Sequence, residues 1–436
     1  MKLPFTSRDN FAFITDDSTK LNHDTLFLKT AQNSKYFELL ENKPAYITPK
    51  ELIELWELDS MNIIGVTGTN GKTTVSATIY SLLIDLGEGA ALQGTRGLFA
   101  NDVRIEERSM TTPSIFETLY NIKRAKELEA NYFVMEVSSH AIDQNRIEDL
   151  DFAIKIHTNV TQDHLDYHKT IEEYRAVKSR FFADESLKLL NKDALDTITY
   201  NAKNAYSYGV DNPSSFKVQA FSLLNGITAG ITYFGQEATF YSPMMGLFNL
   251  SNLMAAIGAV SLLTKKPLQD ICDAVENFAG VSGRMEVVSH YPTIIVDFAH
   301  TPDGMIQVLD SIKDRDISVV FGAGGNRDRD KRPKMGAVAA KFANKIYVTS
   351  DNPRDEKPED ILSEILAGIK DQSHTRAMVD RSFAISEAIK ELGDKDVLMI
   401  LGKGDEPYQE IAGVQHPYDD REIVRKLLSM YEEQEE

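Results

Sequence analysis

The chain has almost no cysteine. Cys272 is the only one in 436 residues, so no internal disulfide can form and stability must come from buried apolar surface. Positive charge is also short: 66 Asp and Glu against 47 Lys and Arg leave a formal net charge of −19. That balance excludes a broad cationic face, and with it general nucleic-acid binding. Any anionic ligand must be met by local clusters of Lys and Arg. The opening MKLPFTSRDNFAF has no apolar core of the kind a secretory signal needs. No window reads as the roughly 18 apolar residues of a membrane span. These absences lead to the expectation of a cytoplasmic monomer, with neither nucleic acid nor membrane as a partner.

What is present is ordinary in composition, 42% hydrophobic and 26% charged, but too long for one core. Residues 1–60 read as a small opening unit with short apolar runs at 24–28 and 44–48. From 61 to 286, apolar strands at 62–66 and 132–137 alternate with helical stretches such as the one ending near Gly87. From 287 to 436 a second alternating unit has strands predicted over 294–297, 318–321, 345–348 and 397–401. Alternation of this kind gives an α/β fold with mostly parallel sheets covered by helices. Each strand of the last unit runs into a chemically rich loop: DFAHTPDG, GAGGNRDRDKRPKMG, SDNPRDEKPED and GKGDEPYQE. In an open parallel sheet such loops gather at the carboxyl edge, where ligands bind.

The stretch GVTGTNGKTTVSA at 65–77 has the chemistry of a phosphate loop in compressed form, with Val66 where the pattern G-x-x-x-x-G-K-[ST] has its first glycine. Gly68 opens the turn instead. Glycines allow close approach of a phosphate, and the amides of the following helix face the anion. Lys72 would reach the β- and γ-phosphates and the Thr73 hydroxyl would sit on Mg²⁺. The plainer alternative is a glycine turn capping a helix, with Lys72 solvated. Glu136, in MEVSSH at a strand end, is placed to hold or orient a metal. His164 and His168, four apart in sequence, could share a helix face and suggest zinc, but no third ligand accompanies them. GAGGNR has Arg327 where a dinucleotide fingerprint has its third glycine, so it reads as an anion loop.

Taken together, TGTNGKTT, MTTPS, MEVSSHAIDQNR, NVTQDHLDYH, EEYRAVKSRFF, GLFNLSNLMAA, GVSGRMEVV, DFAHTPD, GAGGNRDRDKRP, DNPR and GKGDEPYQ resemble, in family order, the Mur ligases of peptidoglycan synthesis, most closely the MurE type. The resemblance implies a three-domain α/β architecture: a small N-terminal domain (1–60), a central P-loop-type parallel-sheet ATPase (61–286) and a C-terminal Rossmann-like domain (287–436). It implies an ATP- and Mg²⁺-dependent ligase that adds meso-diaminopimelate to UDP-N-acetylmuramoyl-L-alanyl-D-glutamate through an acyl phosphate. Carried over by motif, Gly68, Thr69, Asn70, Gly71, Lys72, Thr73, Thr74, Asn249, Asn252, Arg284, Asp297 and His300 would hold ATP. Thr73, Glu136, His164 and Lys178 would serve the metal and catalysis, with Lys178 matching the family's carbamylated lysine (N6-carboxylysine). Thr111, Thr112, Ser138, Gln144 and Arg146 would contact the sugar-peptide, and Ser18 the uridine end. The segment before the phosphate loop is shorter than the family pattern, and the usual DSR reads Asp17-Ser18-Thr19.

For the added amino acid, the resemblance points to Arg327, Asp351, Asn352, Pro353, Arg354, Gly402 and Glu406. DNPR marks the diaminopimelate-adding members, and a guanidinium suits the extra carboxylate. Lysine in that pocket would leave Arg354 unpaired at a cost on the order of 3–5 kcal/mol. The family's GKGHE and GGDRD appear here as GKGDE and GGNRD. Alternatives are a lysine-adding enzyme, a folylpolyglutamate synthase-like ligase, and a nucleotide-dependent binding module without turnover.

Overall fold

The computed structural model describes residues 1–5, 11–101, 103–224, 226–393 and 395–435. Its strands fall into three main sheets and one hairpin. The first sheet orders Lys2–Pro4, Phe13–Thr15, Thr25–Leu28 and Tyr46–Ile47, antiparallel in its first pair and parallel after it. The helix Pro49–Leu55 follows. Thr48 and Glu51 close its start as a capping box, with Pro49 in the first turn where its missing N–H costs nothing.

The second sheet has eleven strands, and Asn62–Thr67 lies near its middle, parallel to Phe152–His157 on one side and Tyr132–Glu136 on the other. Its side chains alternate between two faces that are both covered. Ile64 and Val66 join one apolar cluster with Val134, Ile154 and Ile156, while Ile63 joins another with Phe133, Met135 and Phe152. Burial on both faces explains the near-continuous apolar reading of these strands. The second cluster also takes in Phe5, Ile14, Leu26 and Leu28, so the opening unit shares its core with one face of this sheet.

Three differences from the expected pattern are informative. Between Lys188 and Ser242 five strands follow one another with no α-helix between them, and the last three pair antiparallel. The hairpin Tyr408–Ile411 with Val414–Pro417 lies beyond the four strands expected in the last unit. The helix Leu247–Thr264, of 18 residues and mean hydropathy 1.6, is long and apolar enough to cross a membrane by those measures. Its Leu250, Leu253, Met254 and Ile257 are fully buried in the core against the central sheet, which accounts for the apolar run.

The third sheet orders Glu286–His290, Thr293–Asp297, Val397–Leu401, Ile317–Phe321, Lys345–Thr349 and Thr375–Met378, parallel in all but its first pair. Asp297 pairs with Leu401, and Phe321 with Val348. This register brings the four loops expected to carry ligand chemistry to one edge.

Candidate active site

The strand Asn62–Thr67 gives way to a turn at Gly68, and the helix Lys72–Asp85 starts after Gly71. A Cβ on Gly68 would lie 1.8 Å from Thr158 Oγ1, and one on Gly71 2.5 Å from Asn252 Oδ1, with Gly71 at φ +87°. A side chain at either position would have to displace these neighbours, and at Gly71 would also adopt a left-handed backbone. Gly71 caps the helix without a side-chain hydrogen bond, which leaves the first helical amides available to an anion. Lys72 folds over the turn, its Nζ donating to the carbonyls of Gly68 (2.8 Å) and Thr69 (2.9 Å). Burial pushes its pKa down, opposed by Glu136 and Asp163.

Strand register places the metal candidates. Val66 pairs with Glu136, so that carboxylate leaves its strand level with the turn. Thr73 Oγ1 donates to Glu136 Oε2 at 3.0 Å, and Glu136 Oε1 accepts from the Thr95 amide (3.1 Å) and hydroxyl (3.2 Å). A hydroxyl and a carboxylate beside a phosphate turn are oxygen donors, which suit Mg²⁺ rather than zinc. His164 does not share a helix face with His168. It caps the short helix Leu165–His168 at φ +56°, while His168 turns inward to Ser139 Oγ at 2.9 Å. Among the described residues no group of three or more His, Cys, Asp or Glu side chains is assembled for a metal. Burial lowers the His164 pKa against the opposing pull of Asp163, whose carboxylate lies 3.4 Å from its Nε2.

Lys178 lies beneath the turn, fully buried, with Nζ donating to Thr67 Oγ1 (3.2 Å) and the Gly68 carbonyl (3.0 Å). Burial, reinforced by the nearby Lys72, puts its pKa well below the usual lysine range. The neutral amine is the form that can capture CO₂.

One cavity of about 390 Å³ joins the two larger units. From the central side Lys72, Thr73, Thr111, Glu136 and His164 line it; from the C-terminal side Arg327, Asp351, Asn352, Arg354, Gly402 and Glu406 do. Thr69, Asn70, Gly71, Thr74, Arg284 and His300 complete the expected residues on its wall. An adjoining cavity of about 300 Å³ holds Asn249, Asn252 and Asp297 and shares Gly71, Thr74 and Arg284. Asp297 Oδ2 and Oδ1 accept from the Met285 and Ala299 amides, both at 2.7 Å, so this carboxylate also fixes the entry into the last unit. Arg284 stacks over the Phe298 ring at 4.3 Å.

Other expected residues stand off the cavity. Thr112 is buried, donating from Oγ1 to the Glu136 carbonyl (2.9 Å) and accepting from the Ser138 amide (2.9 Å). Arg146 donates to Gln144 Oε1 (2.6 Å) and the Thr112 carbonyl (3.0 Å), so these residues form one connected group beside Thr111. Ser18 lies in a short turn of the opening unit whose cap is Asp17. Pro353 contributes packing: its carbonyl would be 1.9 Å from a Cβ on Gly325.

The C-terminal wall corrects one expectation outright. Arg354 is not an unpaired guanidinium, because its Nε donates to Glu410 Oε2 at 3.0 Å and its Nη1 to the Gly325 carbonyl at 2.8 Å. A lysine acceptor would therefore strand no bare guanidinium. Glu406 likewise accepts from Lys403 Nζ at 2.6 Å and Asn352 Nδ2 at 2.8 Å. The departures from the family motifs have local partners. Asn326, at φ +53°, donates to Asp355 Oδ2 at 2.6 Å, where an aspartate would face like charge. Asp405 pairs with Arg96 across the units at 3.4 Å.

Several site residues escaped sequence reasoning. Asp163 and Lys331 line the cavity, and the QDH motif and the charged loop around Lys331 were the available signals. Asp303 Oδ2 accepts from Asn70 Nδ2 (2.9 Å) and Thr161 Oγ1 (3.1 Å), tying the phosphate turn to the last unit; nothing in the sequence pairs these positions.

The chain matches the family model described as the Mur ligase middle domain over residues 66–260, and that described as the Mur ligase glutamate ligase domain over 283–404. A Wolinella succinogenes protein named UDP-N-acetylmuramoyl-L-alanyl-D-glutamate--2,6-diaminopimelate ligase is 50% identical, covering 97% of this chain and 98% of its own length. One of the same name from Helicobacter hepaticus is 47% identical over 97% of this chain and 92% of its own. A solved structure of a ligase of that name superposes with a TM-score of 0.66 at 29% identity, over 96% of this chain and 95% of that one. Mycobacterium tuberculosis folylpolyglutamate synthase complexed with ADP shares the fold, with a TM-score of 0.65 at 16% identity over 81% of this chain and 91% of that one. The chain belongs to the Mur ligase family. It is an amide-bond-forming ligase of α/β fold.

Proposed function

We propose that the chain uses ATP to join the amine of 2,6-diaminopimelate to the glutamate side-chain carboxylate of UDP-N-acetylmuramoyl-L-alanyl-D-glutamate, in peptidoglycan precursor synthesis. The observation that carries this reading is the single cavity with Lys72 on one wall and Arg354 on the other. A carboxylate is a poor acyl donor. Its oxygen forms a bond to the γ-phosphorus as the bond to the β-phosphate bridge breaks, giving an acyl phosphate and ADP. The amine then forms the C–N bond as phosphate leaves and the nitrogen sheds its proton. Rate enhancement comes from placement and from neutralising phosphate charge.

In this reading the turn Gly68–Thr74 cradles the triphosphate through its amides and Lys72, and Arg284 and His300 flank it. Asn249, Asn252 and Asp297 border the nucleoside in the adjoining cavity. Thr73, Glu136 and His164 would hold Mg²⁺, which when bound screens the negative charge of the transferring phosphoryl group. Lys178, buried and with its pKa depressed, would as the free amine take up CO₂ with loss of a proton and add an anion beneath the turn. Thr111, Thr112, Ser138, Gln144 and Arg146 receive the dipeptide, with Ser18 toward the uridine. Arg327, Asp351, Asn352, Arg354, Gly402 and Glu406 receive the diamino acid, with Pro353 shaping their loop. Units at 1–60, 61–286 and 287–436, and a cytoplasmic monomer, belong to the same reading.

The test is phosphate release from ATP with the UDP-muramoyl dipeptide and either diaminopimelate or lysine. Release with diaminopimelate alone is the expected result. Equal release with lysine overturns the acceptor assignment, and no release with either overturns the ligase reading in favour of a nucleotide-binding module.

A further inference from the structure

Two cation–anion pairs stand side by side on the C-terminal wall. Arg354 donates through Nε to Glu410 Oε2 at 3.0 Å, and Lys403 through Nζ to Glu406 Oε2 at 2.6 Å. Asn352 joins them: its Oδ1 accepts from Lys403 Nζ (3.0 Å) and the Glu410 amide (2.9 Å), and its Nδ2 donates to Glu406 Oε2 (2.8 Å). Charges therefore alternate here, with Arg354 and Glu406 on the cavity lining and Lys403 and Glu410 outside it. The backbone holds Glu410 in register, since the Arg354 amide donates to the Glu410 carbonyl at 3.0 Å and Ala412 returns a bond to the Arg354 carbonyl at 2.8 Å. The guanidinium is fixed on its Nε edge and at Nη1. Its Nη2 has no hydrogen-bond partner among the described residues and remains for a ligand in the cavity that Arg354 lines.

We propose that Glu410 is a specificity-determining residue: its charge on Arg354 tunes this wall to an amino-acid end that carries both a carboxylate and an ammonium. The inference rests on the proposed reaction and extends it. An unpartnered Arg354 would favour any distal carboxylate. With Glu410 already on the guanidinium, an added carboxylate gains less unless its own ammonium comes with it to meet the acids. A lone ammonium, as in lysine, meets Arg354 without an anion of its own. Specificity of this kind is a difference between pairings, not the strength of one contact. Glu410 acts through Arg354 and is a positioning residue, not a catalytic one.

The experiment uses the full chain with ATP, Mg²⁺ and the UDP-muramoyl dipeptide. Three acceptors are compared: diaminopimelate, 2-aminopimelate (the same distal carboxylate without the ammonium) and lysine. In Glu410→Gln, which is nearly isosteric and keeps an acceptor for Arg354, the kcat/KM ratio of 2-aminopimelate to diaminopimelate should rise at least tenfold over the unaltered chain. The KM for ATP should stay within twofold, and Glu410→Asp should restore the original ratio. An unchanged ratio in Glu410→Gln overturns the inference, as does an equal rise in Glu410→Asp. If the unaltered chain turns over with diaminopimelate while Glu410→Gln leaves the ratio flat, only this inference falls. If the unaltered chain releases no phosphate with diaminopimelate, the ligase reading falls and takes the inference with it.

Discussion

Buried charge is handled differently on the two sides of the cavity. Beneath the phosphate turn, burial pushes basic groups down: Lys72, Lys178 and His164 are depressed, and His157, away from the cavity, is lowered to about 3. Behind the C-terminal loops ion pairs predominate, although burial lowers His300 on the cavity itself to about 4. Hydrogen bonds from Arg332 hold Glu356 at about 2, and Arg381 grips Asp420 through two bonds of 2.8 and 2.7 Å. The central side presents the amides of the turn over buried basic groups; the C-terminal loops rest on a lattice of ion pairs. A triphosphate brings its own charge and needs donors, whereas a zwitterion needs both signs at fixed places.

The largest expected effect breaks the central wall. Lys72→Ala removes the one side-chain cation of the turn, and kcat should fall roughly 10²–10³-fold. A drop below tenfold in a steady-state assay would mean that the amides alone suffice. On the opposite wall, Arg354→Ala should raise the KM for diaminopimelate about 10- to 100-fold, as expected for loss of a hydrogen bond to a charged group. The KM for ATP should hardly move; a matching rise there would erase the distinction between the walls.

Acid should separate them too. His157 is fully buried with neither ring nitrogen hydrogen-bonded. Its folded pKa of about 3 lies below the ordinary value of 6.5, so the unfolded chain takes up the proton first. Stability is therefore lost as pH falls below about 6.5, by about 3 kcal/mol at pH 4. Glu356 has its folded pKa lowered from 4.5 to about 2, so its contribution is present above 4.5 and lost only as pH falls toward 2. Hydrogen exchange should show the strand Phe152–His157 loosening at higher pH than the segment around Glu356. His157→Phe should remove most of the first transition in urea titrations. Simultaneous loss in both regions would count against the contrast.

The smallest effect concerns Asn70. Its side-chain amide is engaged by Asp303, so Asn70→Ala should change the KM for ATP less than threefold while its backbone amide remains in place. A larger change, measured by nucleotide titration, would put the carboxamide on the phosphate.

How legible all this was in the sequence follows the same divide. The phosphate turn is written in consecutive residues because one strand, one turn and one helix build it. The four C-terminal loops were likewise recoverable, since each follows an apolar strand buried over all or nearly all of its length. Glu410, Lys403 and Asp303 were not, because their meaning depends on side chains from distant segments meeting in space. The antiparallel strands after Phe216 were lost for another reason. Phe216–Ser222 reads Phe-Lys-Val-Gln-Ala-Phe-Ser, with burial confined to its start, and Gly230 interrupts the next strand. His164 looked helical by spacing, yet its left-handed backbone takes it out of any helical face.

The shared core beneath the opening unit has a practical side. Phe5, Ile14, Leu26 and Leu28 sit in the same apolar cluster as Phe133 and Met135 of the central sheet, whereas the C-terminal sheet carries clusters on both its own faces, with little beyond Met245 and Phe248 reaching it from earlier in the chain. Cutting before the phosphate loop would tear one hydrophobic mass in two; cutting near residue 285 would expose comparatively little. The C-terminal unit is thus the exchangeable cassette. Chimaeras with relatives of other acceptor preference should be joined there, and the opening unit should travel with the central sheet.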